Sequence, residues 1–271
     1  MLVCPQCQHT NDLGMTACAN CAASLRAASA GWQLDQAEAA TDQGHYALAR
    51  KHLLTADREM VSLGVAEREE ALLTARAYWL QGLINYRQGQ LVAAQADLLL
   101  SRASIMRQGQ GMEMLVRLLN LLGNIAAYQN KYREACDYYE ASILVGEQAR
   151  VKGYTATALN NLGSMYDELG EVAAATTTYT KALRQAESSG EPTPLLQAYR
   201  SLALLYANHG PFELALDYAR QGIAISSQVN KPVSRSHMLA DLSSVYLEAG
   251  QLDVAEVQLQ AAYELIRNSN S

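Results

Sequence analysis

Phenylalanine is nearly absent from this 271-residue chain: there is one, against fifteen tyrosines. Charge is sparse as well, at 18% of residues, and 21 basic against 27 acidic side chains leave a formal net charge of −6. A body of that balance lacks the clustered cations that neutralise phosphates, which argues against nucleic acid as the main partner. No stretch approaches the roughly eighteen apolar residues that a membrane-spanning helix needs. The N-terminus carries no basic region ahead of an apolar run, so no secretory leader is expected. A cytoplasmic, reducing setting is the expectation, and there paired cysteines read as metal ligands rather than disulfides. Catalytic strings are missing too. No Gly-rich phosphate loop or HExxH string occurs, and His9, His45, His52, His209 and His237 stand apart from any nucleophile motif. The chain is expected not to be an enzyme.

Cysteine is scarce but concentrated. Four of the five lie in the first twenty-one residues, as Cys4-Pro-Gln-Cys7 and Cys18-Ala-Asn-Cys21 separated by ten residues. Two residues between cysteines let both thiolates of one turn reach a single ion, and two such turns supply the four corners of a closed tetrahedral site. The spacer "QHTNDLGMTA" suits a short hairpin that returns the second turn to the first. Structural Zn²⁺ is the expected cofactor, with rubredoxin-type iron and a redox dithiol as the alternatives. Residues 1 to 25 contain no Lys or Arg, so the cluster lacks the footprint of a phosphate binder. His9 reads as an exposed loop residue.

This stretch resembles the short zinc ribbons of bacterial proteins, whose form is close to CPxCGxxN…FCxxCGxxL. Cys4, Pro5, Cys7, Asn11, Cys18, Cys21 and Leu25 keep that pattern. Gln8 and Ala22 stand where the ribbons usually carry glycine, which eases positive φ, and Ala17 stands where they carry an aromatic.

Beyond a small-residue stretch at 26–30, expected to be a linker, the sequence repeats. "ALNNLGSMYDELGEVAAATTTYTKAL" aligns with "LLNLLGNIAAYQNKYREACDYYEASI", "AYRSLALLYANHGPFELALDYARQGI" and "MLADLSSVYLEAGQLDVAEVQLQAAY". Ala37, Gly82, Gly123, Gly163, Ala203 and Ser243 share one register across six copies. Each copy holds a helical apolar pattern, a Gly or Asn stop (Gly44, Gly89, Asn130, Gly170, Gly210, Gly250) and a second helical pattern. Five positions after each stop comes an alanine: Ala49, Ala94, Ala135, Ala175, Ala215 and Ala255. The fold class expected is all-α, a solenoid of about six antiparallel helix pairs, with a ribbon over 1–25 and the repeat domain over 31–271.

The repeat resembles the tetratricopeptide family, best in the fourth copy, where Leu162, Gly163, Tyr166, Gly170, Ala175, Tyr179 and Ala182 are all in register. The spacing of about forty residues exceeds the family's usual 34, and the repeat-end proline is missing. The resemblance implies a right-handed superhelix whose first helices line a concave, peptide-binding groove. Carried onto this chain, the inward positions are Arg76, Arg117, Asn120, Asn124, Asn160, Asn161, Ser164 and Arg200. Asparagine amides there offer one donor and one acceptor to a peptide unit, and the arginines offer bidentate pairing to carboxylates. Asp167, Glu168, Asp241 and Glu248 add acidic positions, whereas Tyr166, Tyr206 and Tyr246 read as core. Cys136 reads as a buried structural thiol. The function implied is that of a protein–protein interaction adaptor or scaffold. The alternatives are a peptide-sensing regulator and a nucleic-acid-associated regulator acting through the ribbon. Val254, Val257, Ala261 and Leu265 on the last helix are expected to be partly exposed, which would favour a homo-oligomer through that helix.

Overall fold

Positive-φ residues punctuate the chain between helices, as the sequence pattern requires. The computed structural model describes residues 1–4, 7–13, 15, 17–21, 25–61, 63, 68–108, 110–229 and 232–269. Two short strands, β1 (Leu2–Val3) and β2 (Thr10–Asn11), pair antiparallel with Leu2 opposite Asn11. Twelve helices follow among the described residues. They are α1 (Arg26–Asp42), α2 (Tyr46–Val61), α3 (Arg68–Arg87), α4 (Leu91–Gln108), α5 (Met112–Tyr128) and α6 (Tyr132–Ala149), then α7 (Lys152–Glu168), α8 (Val172–Ser189), α9 (Pro192–His209), α10 (Phe212–Ser226), α11 (Pro232–Glu248) and α12 (Leu252–Ser269). In chain order they make six successive pairs, the all-α tetratricopeptide-like arrangement that the repeats imply. The chain divides into two compact units, Met1–Ile125 and Ala126–Ser271.

The turn inside each pair ends the first helix by a defined set of hydrogen bonds. At Gly170 (φ 74°) the amide bonds the Asp167 carbonyl and the next amide, of Glu171, bonds that of Tyr166. The paired bonds satisfy the carbonyls that a helix end leaves over, and they require the left-handed residue between them. Gly44, Gly89, Asn130 and Gly250 adopt the same sign of φ. Gly210 does not: its φ of −138° and ψ of −165° are extended. Pro211 follows it, and a proline ring pushes the preceding residue out of helical conformations toward extended ones.

The 26–30 stretch, expected to link, is instead the first part of α1. Its alanines have the highest helix propensity of any residue, Ala30 is fully buried, and the Ser29 amide bonds the Leu25 carbonyl at 2.8 Å.

In the first unit, α1 packs on α2, α3 on α4, and α1 on α3. In the second unit the same arrangement joins α7 with α8, α9 with α10 and α11 with α12, while α6 packs on α7 and α8 on α9. The alanine after each stop is fully buried in all six copies. Ala175 and Tyr179 of α8 meet Leu202 and Leu205 of α9, and a larger cluster joins Leu196, Ala219, Leu242 and Tyr246 across α9 to α12. Of the expected core tyrosines, Tyr246 is buried, Tyr206 stacks on Tyr218 at 5.7 Å, and Tyr166 is partly buried. Cys136 is buried against Tyr139 and Leu162, and burial pushes its thiol up. On α12, Val254 and Val257 are exposed while Ala261 and Leu265 are half-buried.

Gly163 marks a tight seam between α7 and α8. A Cβ there would stand 2.7 Å from the Tyr179 ring, whose own side chain is buried and cannot swing away. Gly163→Ala is therefore expected to destabilise the second unit by about 1–3 kcal/mol, read as an earlier midpoint in urea denaturation with an unchanged slope.

Candidate metal centre and inner helix face

The β1–β2 hairpin brings the two cysteine turns together. Within the first turn the Cys4 amide bonds the His9 carbonyl and the Gln8 amide bonds the Cys4 carbonyl, both at 2.9 Å. Gln8 closes that turn at φ 59°, the left-handed conformation for which zinc ribbons usually place glycine. Pro5 and Ala22, two further positions of the ribbon pattern, lie outside the described residues. The Sγ atoms of Cys4, Cys7, Cys18 and Cys21 all fall within 4.8 Å of one another, with Cys4–Cys21 at 3.5 Å and Cys7–Cys18 at 3.6 Å. A tetrahedral ion with bonds of about 2.3 Å would hold its sulfurs roughly 3.8 Å apart. The donor set fits such an ion.

Asn11, a retained position of the ribbon pattern, ties the two turns to each other. It is buried, its Nδ2 donates to the His9 carbonyl at 2.8 Å and to Cys18 Sγ at 3.6 Å, and its Oδ1 accepts from the Ala19 amide at 2.9 Å. Burial alone would raise the Cys18 thiol, but the amides of Cys21 and Asn20 and the Asn11 side chain outweigh it and bring the value down to about 6. The Asn20 side chain, with the His9 backbone, lowers Cys7 as well. Both environments favour the thiolate, the form that binds metal. The module seats on the repeats through Leu2, Cys4, Cys18 and Leu25, which pack with Ala28 and Trp32 of α1.

The inner-face residues are placed as follows. In the first unit, Glu38 of α1 receives Arg76 of α3 and Arg117 of α5, each at 3.0 Å, and Arg76 also reaches Asp35 at 2.6 Å. The Arg117 guanidinium lies 4.0 Å from the centroid of the Trp79 ring, a cation–π placement. Asn120 is buried on α5 and Asn124 half-buried. In the second unit, Arg200 of α9 donates to Asp241 of α11 at 2.6 Å, Gln197 donates to Asn161 at 3.4 Å, and His209 Nε2 lies 3.1 Å from Asp167. Ser164 is half-buried. Asn160 is 4% exposed, and its Oδ1 has no hydrogen-bond donor among the described residues.

Arg76, Arg117 and Arg200 are thus held by carboxylates of this chain instead of standing ready for a ligand's. The physical reason is the repeat itself, which packs one first helix against the next, α1 on α3 and α9 on α11. Arg76 and Asp35 are 41 positions apart, as are Arg200 and Asp241. Acids about one repeat away, Asp35 and Glu38 for Arg76 and Asp241 for Arg200, were therefore readable candidates for partners. Burial raises the Glu38 carboxyl, but the hydrogen bonds and charges of Arg117 and Arg76 prevail and hold it below 4.5. A lowered carboxyl contributes stability above its unfolded value and loses it as pH falls through the folded one. Glu38→Gln should lower stability at pH 7 by roughly 1 kcal/mol, and the gap to wild type should close as pH falls below 4.5, read by urea denaturation across pH.

No helix among the described residues is long and apolar enough to cross a membrane. A family model described as the MalT-like TPR region matches residues 110–271. No curated protein matches the sequence. BtubC (BKLC) from P. vanneervenii has 17% sequence identity to this chain, with 91% of each chain covered and a TM-score of 0.57. The apo form of RapI is 14% identical over 88% of this chain and 97% of its own, with a TM-score of 0.61. The Rap conjugation gene regulator of plasmid pLS20, solved with the Phr* peptide, is 12% identical over 89% of this chain and 76% of its own, at a TM-score of 0.62. At these identities the likeness is one of fold.

Proposed function

The chain belongs to the family of MalT-like TPR regions, and on that footing we propose that it is a protein–protein interaction adaptor that holds an extended segment of a partner along its first helices. The observation that carries this reading is the Asn160 carbonyl oxygen, buried on α7 without a donor. A buried acceptor left unmade costs about 1–3 kcal/mol, and an incoming peptide N–H would satisfy it. Arg76, Arg117 and Arg200 are already engaged by acids of this chain, so recognition falls to amides rather than to free cations. The pLS20 regulator, solved with its peptide, favours a second reading, a peptide-sensing regulator. In that case ligand binding would compact the chain in solution scattering, whereas a scaffold would keep its dimensions.

Cys4, Cys7, Cys18 and Cys21 would hold Zn²⁺. Bound there, zinc supplies folding energy, and a four-thiolate site leaves no position for substrate or water. The module over residues 1–25 then serves to hold the start of α1, and no catalytic step is assigned to it. A cluster of free thiols suits a reducing cytoplasm.

Two experiments test these assignments. Asn160→Ala deletes an amide whose Oδ1 has no hydrogen-bond donor among the described residues, so its melting temperature should stay close to wild type while peptides selected by the full chain from a displayed random library lose binding. Equal binding by the variant would remove the groove reading. For the metal, the purified chain should carry about one equivalent of zinc, and a strong chelator should red-shift tryptophan fluorescence as Trp32 loses its cover. Iron in place of zinc would show as visible absorbance.

A further inference from the structure

The second repeat departs from its siblings at two positions that line or support one cleft. One position before the shared register site, the last four copies carry Leu122, Leu162, Leu202 and Leu242, whereas the first two carry Gln36 and Gln81. Three positions after it, the copies carry Ala40, Ala126, Tyr166, Tyr206 and Tyr246, but the second carries Asn85. Three positions after the buried alanine they carry His52, Tyr138, Thr178, Tyr218 and Gln258, but the second carries Asp97, the sole acid in that column.

These departures meet on the face formed by α2, α3 and α4. A cleft of about 400 Å³ opens there, within the usual range for small-ligand sites. Leu53, Met60, Ala77 and Tyr78 form its apolar wall, while Asp57 and Asp97 line it together with Gln81. The matching cleft of the second unit, between α6, α7 and α8, places Ile143, Leu162 and Thr178 where this one has Asp57, Gln81 and Asp97. The fold therefore fills these three positions without acids in the second cleft, whose own acids, Glu140 and Glu147, stand elsewhere on its lining.

Asn85 is 5% exposed and aims its Nδ2 at Asp97 Oδ2, 2.7 Å away, so a buried amide fixes the carboxylate. Arg50 also reaches the cleft, but its Nη2 is taken up by Asn85 Oδ1 at 2.8 Å and Gln88 Oε1 at 2.7 Å. Among the described residues no cationic group lies within ion-pair distance of Asp57 or Asp97. Burial pushes the Asp97 carboxyl up despite the Asn85 bond and the Arg50 charge. Keeping a partly buried acid in a solenoid seam costs stability that the sibling repeats avoid at this position.

We propose that this cleft binds an alkylammonium group, its aliphatic stem lying against Leu53, Met60 and Tyr78 and its charge set between Asp57 and Asp97. Free alkylamines and the lysine side chain of a partner present the same chemistry.

Calorimetric titration of the full chain separates the possibilities. Cadaverine and acetyl-lysine methylamide are the two probes, with pentanol as the uncharged stem. At least one amine should bind and pentanol should not, and the stronger of the two identifies the source. Asp97→Asn keeps the Asn85 bond and removes the charge, and Asp57→Asn does the same at the other wall. Each should weaken the amine by about tenfold or more with an unchanged melting temperature. Failure of both amines to bind, binding of pentanol as strong as that of the amines, or equal binding by Asp97→Asn would overturn the assignment. Peptide selection through Asn160 is unaffected by either outcome, so the two readings fail separately.

Discussion

The close approach of the helices within a repeat depends on side chains too small to hold them apart. Gly82 lies under Leu98, Gly163 under the Tyr179 ring, and the alanine five positions beyond each turn has no exposed surface. With that seam closed, each helix pair becomes a rigid plate whose outer rows must be covered by the next plate. Burial of Leu202 and Leu205 against Tyr179, and of Leu242 and Tyr246 against Leu196, follows from the same need. Dispersion and burial supply the cohesion, while the polar residues decide how one plate sits on another.

Most of the scaffold was legible in the sequence because its determinants are local. Stops at Gly44, Gly89, Asn130, Gly170 and Gly250 each require a left-handed residue, and only a few residue types adopt that conformation at low cost. Gly210 shows the limit of the rule, since glycine permits many conformations and its neighbour Pro211 chose among them. Residues 26–30 show another. Small residues suggest a linker, yet alanine favours helix, and the packing of Leu25 and Ala30 draws the segment onto the repeats.

The sites were legible only in part. Cysteine spacing disclosed the cluster, and the Gln8 turn adopts the strained φ that its position implies. What spacing did not disclose was the use made of the inner arginines, because an inward direction says nothing about what already waits there. Arg76 and Arg117 converge on Glu38, a residue whose importance lies in the register between repeats rather than in any local motif. Asn85 and Asp97 were hidden for a related reason: each is unremarkable alone and stands out only against its own column of repeats.

The linkage of Arg76 to Asp35 and of Arg200 to Asp241 has a consequence for how such a chain diversifies. A duplicated repeat inherits apolar plates that fit any neighbour, but its charges fit only a neighbour bearing the complementary sign at the matching height. Once such pairs are in place the copies cease to be interchangeable. Transposing two of them would preserve every buried contact class and still set acid against acid, so the order of the repeats is itself encoded, as a key is by its wards.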